Sequence, residues 1–144
     1  MKTIKIAAFM LAATTALSAQ DLKMNEVPAK LQSTFIQEFP KATDREWEKD
    51  GLNYKVEFDL GKMEHEVWYD INGKVLKTEM EVPKSELPKN LADKVRSMYE
   101  GYKIDEVKII EMDSKKNYEI EVEKWLVWDK TVIMDTNGNV IDKD

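Results

Sequence analysis

Cysteine is absent from all 144 residues. That excludes disulfides, thiolate metal sites, thiol nucleophiles and the modified cysteine of a lipoprotein. Histidine occurs once, at His65. A zinc site needs three or four converging ligands, so one imidazole among scattered carboxylates does not make one. Ser33 or Ser97 could be paired with His65 as nucleophile and base. Neither serine lies in a Gly-x-Ser-x-Gly turn that would present it, and a triad also needs an orienting acid in a shared cleft. Proline (four) and glycine (five) are scarce, so each one punctuates the chain. Long apolar runs are missing too. The single candidate, Ile6 to Leu17, is shorter than the roughly 20 residues a membrane span requires.

That run follows Lys2 and Lys5 and is followed by Ser18 and Ala19, which is the pattern of a secretory signal peptide. Cleavage after Ser18 puts Ala16 at the third position back, the A-x-A-like pattern, and cleavage after Ala19 puts Leu17 there; both sites stay open. The expected product is an exported chain, periplasmic or secreted, with no membrane span and no lipid anchor. Loss of Lys2 and Lys5 takes the formal charge from −6 to −8. Such a chain should be repelled by nucleic acid and anionic lipid.

What remains contains the same segments twice. Asn25-Glu-Val-Pro-Ala-Lys-Leu31 parallels Ser85-Glu-Leu-Pro-Lys-Asn-Leu91. Asn53-Tyr-Lys-Val-Glu-Phe58 parallels Asn117-Tyr-Glu-Ile-Glu-Val122, and Asp70-x-Asn-Gly-x-Val75 parallels Asp135-x-Asn-Gly-x-Val140. The order is kept, as a duplicated unit with small loop insertions requires. Each copy should open with a helix, capped by Asn25 or Ser85 with Pro28 or Pro88 in its first turn. Val27, Leu31, Phe35 and Phe39 form one apolar stripe, and Leu87, Leu91, Val95, Met98 and Tyr99 the other. Pro40 and Gly101 end the two runs.

After each helix the apolar period becomes two. Tyr54, Val56, Phe58 and Leu60 alternate with charged residues, as do Tyr118, Ile120 and Val122, which predicts half-buried antiparallel strands. Asn72-Gly73 and Asn137-Gly138 predict two-residue type I′ hairpins. The fold class is therefore α+β, a tandem of one helix plus about four strands. The expected segments are 1–19 signal peptide, 20–83 first module and 84–144 second module. An EF-hand reading of Asp70-x-Asn fails, because the glycine is fourth instead of sixth.

The ordered segments VPAKLQSTFIQEFPKA, YKVEFDLG and HEVWYDINGKVL resemble the PepSY-like, β-lactamase-inhibitor-like domains of exported bacterial proteins. The resemblance implies one continuous antiparallel sheet with the helices on one face. It also implies a role in binding or restraining another extracytoplasmic protein. The second copy departs from the pattern, having no Phe-Pro at its helix end and no glycine in its middle hairpin. No contact residue carries over.

The residues themselves nominate a surface. Trp125-Leu-Val-Trp128 occupies a hairpin end where the first copy has Leu60-Gly61-Lys62. The two indoles are either packed over the core or left out as an interaction patch. Strand parity puts Trp68 on the face away from the helices, among Glu64 and Glu66, where acidic surroundings favour a basic partner. Strand parity also puts His65 on the helix side with Val67 and Tyr69. The rows of glutamate, Glu64 and Glu66 or Glu119, Glu121 and Glu123, read as a solvated sheet face. The expectation is a protein-binding module without enzyme activity or cofactor, its contact residues Trp68, Trp125, Leu126 and Trp128. The alternative is an acidic ligand- or divalent-cation-binding sensor of the envelope.

Overall fold

The computed structural model describes residues 20–144, so the signal-peptide segment lies outside the described residues. Nine strands form one antiparallel sheet in strictly sequential order. They are β1 (Gln20–Leu22), β2 (Thr43–Asp50), β3 (Asn53–Leu60), β4 (Met63–Tyr69), β5 (Val75–Glu81), β6 (Lys103–Met112), β7 (Lys115–Glu123), β8 (Lys130–Asp135) and β9 (Val140–Lys143). Helix α1 (Ala29–Glu38) precedes β2 and helix α2 (Lys89–Met98) precedes β6. The α+β class, the repeated helix-plus-four-strand order and the continuous sheet are all as the sequence implied. Strand β1, which extends the sheet beyond the first copy, was not anticipated.

Both helices begin later than expected. Asn25 and Ser85 lie in short 3-10 turns, Met24–Glu26 and Lys84–Glu86, and cap nothing. The cause is the following proline, which bars its predecessor from helical backbone. Val27 and Leu87 are accordingly extended, with ψ of 129° and 122°, and the helices start after Pro28 and Pro88.

Opposite residues of paired strands share a face, so the register places the core on one side. In the first copy Leu31 and Phe35 of α1 meet Trp47, Val56, Phe58, Val67 and Tyr69. The packing is aromatic, with Phe35 edge-on to Phe58 at 4.9 Å and to Trp47 at 5.6 Å. In the second copy Leu91 and Val95 of α2 meet Val107, Ile120, Val122, Val132 and Met134. The two clusters are separate, and the ladder between β5 and β6 joins them, running from Lys77↔Met112 to Glu81↔Lys108. His65 is buried on the helix side, paired with Phe58 and Met80 across the ladder and outside both clusters.

The Asp-x-Asn-Gly loops differ from expectation. Gly73 and Gly138 have φ of 85° and 83°, whereas Asn72 and Asn137 do not have positive φ. Asp70 Oδ1 accepts from the backbone N–H of Asn72 (2.8 Å) and Lys74 (2.9 Å), and Gly73 N–H donates to Asp70 O at 3.0 Å. This is a type I turn closed by a glycine bulge, a three-residue loop. The aspartate decides it, because its side chain holds the first turn in right-handed geometry. Positive φ at two successive turn residues occurs instead at Asp113 (51°) and Ser114 (60°), between β6 and β7.

Candidate binding surface

Strands β7 and β8 are joined by a loop whose apolar residues stand in solvent. Trp125 is 88%, Leu126 92% and Trp128 79% exposed, with Val127 at 44%. Val127 N–H closes the turn on Lys124 O at 3.0 Å. Leu126 sits at φ 61°, a left-handed conformation that costs a side chain with a Cβ about 1–2 kcal/mol. At the corresponding end of β3 the first copy makes a two-residue turn between Leu60 and Met63, with Gly61 at φ 70°. The second copy has a six-residue connection, 124–129, in place of those two residues, and has leucine at its left-handed position where the first has glycine. Neither change improves packing, since the loop covers no core.

Trp68 lies on the open face, as parity required, but it is half-buried and held. Its Nε1–H donates to Asp50 Oδ2 at 3.1 Å. The ammonium of Lys77 lies 4.4 Å from its ring centre and that of Lys55 5.9 Å, a cation on each neighbouring strand. Trp68 and the tip are at opposite ends of the sheet. The strand length from Lys115, beside the Trp68 row, to Lys124 spans about 30 Å at about 3.3 Å per residue. The structure brings Trp125, Leu126 and Trp128 together and leaves Trp68 apart.

Between them the open face is less solvated than its glutamates suggested. Ile110 and Ile133 point to this face and are buried under the charged stems around them. Lys55 reaches Glu48 (3.0 Å), Glu66 (3.4 Å) and Glu57 (3.8 Å), Lys77 pairs with Glu79, and Lys108 with Glu106 (3.3 Å). Long lysine stems cover apolar surface while their heads neutralise the acids. The compensation is incomplete. Burial, then the charge of Glu79, pushes the Glu119 carboxyl up to about 7. Burial also raises Glu57, next to Glu64 and Glu66, and it raises Glu64. One oxygen from each of these three lies within 4.8 Å of the others, and Lys55 already sits among them.

At the tip end the balance is different. Burial raises Glu121, reinforced by Glu106, Asp129 and Asp105 in that order. Among the described residues neither Glu121 nor Asp129 has a cationic group within 4 Å. The lysines flanking the tip face the helix side instead. Lys130 shares the parity of Val132, and Lys124 lies 5.4 Å over the Tyr102 ring. Strand parity puts Glu119 and Glu121 on this face, but reading them as solvated fails, because their burial depends on the neighbouring strands and is not written in either segment.

Catalytic geometry is not assembled at the one histidine. Burial lowers His65 below the usual imidazole value, and its Nδ1 has no hydrogen-bond partner. A surface hollow of about 340 Å³ beside the end of α2 is lined by Met98, Tyr99, Lys130, Lys143 and Asp144, which offer no base and nucleophile pair.

Known structures share this architecture. A DUF2874 family protein from Bacteroides uniformis superposes with a TM-score of 0.68 at 17% identity, covering 82% of this chain and 88% of its own. A BLIP-like protein from Bacteroides fragilis gives 0.62 at 24% identity, covering 81% and 84%. A Bacteroides eggerthii protein, provisionally described as periplasmic, gives 0.67 at 15% identity, covering 82% and 88%. At these identities the likeness is one of fold. No curated protein matches the chain. The sequence profile of the PepSY-like, β-lactamase-inhibitor-like family matches residues 14–64 and again 53–142. With a profile match through nearly the whole chain, and the doubled helix-and-sheet unit seen in the fold, this protein belongs to the PepSY-like, β-lactamase-inhibitor-like family.

Proposed function

We propose that the protein is an exported, non-catalytic binding module that holds another extracytoplasmic protein through the Trp125–Trp128 tip, acting as an inhibitor or a folding restraint. The observation that carries this reading is the tip itself. Two tryptophans and a leucine stand almost wholly in solvent, one at a positive φ that glycine would fill without strain. A backbone cost kept where it does not serve packing points to a role outside the fold. Tryptophan is also the residue most enriched at energetic centres of interfaces. Export is supported by the basic, apolar and small-residue order of residues 2–19 and agrees with the provisional periplasmic description of the B. eggerthii relative. The likeness to the BLIP-like B. fragilis protein supports the binding role.

The open sheet face and Trp68 would form the far side of the same surface. A standard interface buries about 800 Å² per partner, a patch about 30 Å across. One partner of ordinary size could therefore reach from the tip to Trp68. A pull-down from the envelope fraction tests the reading, with the wild type beside Trp125→Ser/Trp128→Ser after circular dichroism has established that both are folded. A partner retained by the wild type and lost by the variant is expected; equal retention by both moves the contact away from the tip.

A second reading, a divalent-cation sensor, is favoured by the Glu57, Glu64 and Glu66 carboxylates. Against it, an entering ion must displace Lys55, which already bridges Glu57 and Glu66. Millimolar calcium should leave the melting temperature within about 1 °C, because a ligand that does not bind the native state shifts nothing. A dose-dependent rise would favour the sensor.

A further inference from the structure

We infer that the tip recognises a cationic protein segment, whose Lys or Arg side chains seat on Glu121 and Asp129 while its apolar neighbours pack on Trp125 and Leu126. This rests on the reading of the tip as a protein contact and specifies the partner's chemistry. The argument is charge complementarity at one end of the sheet. Elsewhere on the open face the lysines answer the acids, as Lys55 does for three glutamates and Lys77 for Glu79. Beside the tip that compensation weakens. Among the described residues Glu121 and Asp129 have no cation within 4 Å; Lys108 is engaged by Glu106 at 3.3 Å and offsets the field at Glu121 less than Glu106, Asp129 and Asp105 build it, and Lys84 is held by Asp105 at 3.6 Å.

The flanking lysines also fix the direction of approach. Lys124 and Lys130 belong to the helix side, where Tyr102 and α2 lie, so the negative side of the tip is the side of the open sheet. A basic segment crossing β7 and β8 on that side meets carboxylates first and indoles next. Arginine suits both, pairing with carboxylate and stacking on tryptophan. An acidic segment would meet like charge, and the chain's net charge of −6 as written adds to that repulsion. Burial raises Glu121, and an incoming cation offsets that penalty by favouring the charged carboxylate.

The test is a selection with defined probes. A random-peptide phage library is panned on the immobilised protein, and selected peptides are synthesised and titrated by calorimetry against the wild type, Trp125→Ser/Trp128→Ser and Glu121→Gln/Asp129→Asn. Enriched peptides carrying Lys or Arg beside apolar residues are expected. Their affinity should fall roughly tenfold or more in each double variant, as for a charge pair removed from a buried contact, and should weaken with salt. Peptides that need the tryptophans but are neutral or acidic, and that bind the Gln/Asn variant equally, overturn this inference and leave the tip reading intact. Peptides indifferent to the tryptophan substitutions overturn the tip reading itself. Failure to enrich any peptide, together with tip-dependent binding to phosphatidylcholine vesicles, assigns the tip to a lipid surface and overturns both.

Discussion

Leu126 places two quantities in opposition. Its left-handed backbone weakens the fold by about 1 kcal/mol relative to a residue that tolerates that conformation. Leu126→Asn should therefore raise stability by about 0.5–1 kcal/mol in urea unfolding, since Asn accepts positive φ, while peptide or partner binding falls. A variant that gains stability and keeps binding would remove the reason for the leucine. His65 and Glu119 make a second pair of opposed effects, this time in pH. Glu119 has a folded value raised to about 7, above the unfolded value near 4.3, so its stabilising contribution is full below about 4.3 and is lost as pH rises through about 7. His65 has a lowered folded value, so its contribution is present above about 6.5 and is lost as pH falls below that. Glu119→Gln should stabilise the protein at pH 8 by about 1–2 kcal/mol, a figure discounted for the solvent that reaches this face. At pH 5 the same substitution should be nearly neutral. His65→Phe should flatten the decline below pH 6.5. Urea titrations of both variants across that range check the signs, and an unchanged pH profile in either would refute its assignment.

Among the elements, the turns carry the most local information and the helix starts the least. Asp70 and Asp135 hold the same pair of backbone N–H groups in both copies, and the glycine after each Asn completes the bulge. A Cβ at Gly138 would lie 3.2 Å from Leu91 Cδ2, and one at Gly73 would lie 3.4 Å from Thr34 Oγ1. Gly138→Ala should accordingly cost about 1–2 kcal/mol from its φ alone, and more than Gly73→Ala because Leu91 is a buried core residue. Equal loss in the two variants would mean that only the backbone conformation matters. The existence of both hairpins was legible from Asn-Gly between alternating runs. Their type was not, because the deciding contact is a side-chain oxygen two to four residues upstream of the amides it binds. The helix bodies were legible from four-residue spacing, whereas their starts were displaced by the proline effect on Val27 and Leu87. The tip was legible as an anomaly at Trp125 to Trp128. Its exposure was not, since residue type alone does not say whether an indole turns in or out.

At the scale of the whole molecule, each copy has its own apolar cluster, and one strand ladder joins the two. We propose the boundary between modules at Pro83 and Lys84, with 20–83 and 84–144 as the units. Leu31→Ala removes a fully buried side chain from the first cluster and should cost about 2–5 kcal/mol. Hydrogen exchange should then speed up in β3 and β4 while β7 and β8 stay protected. Uniform loss of protection would mean that the two clusters unfold as one. The duplication and the sheet alternation were readable from the sequence because both are periodic. The buried charge network around Glu119 was not, because it is built across three strands, β5, β6 and β7, whose pairing no single segment reveals.

Every strand in this sheet pairs with its immediate neighbour in the chain. No pairing has to wait for a distant segment, and the only long detours are the two that carry α1 and α2. Low sequence separation of contacts is the condition for rapid folding. It also means that a chain delivered from its N-terminus could close each hairpin as it emerges, completing the first cluster before the second has been delivered.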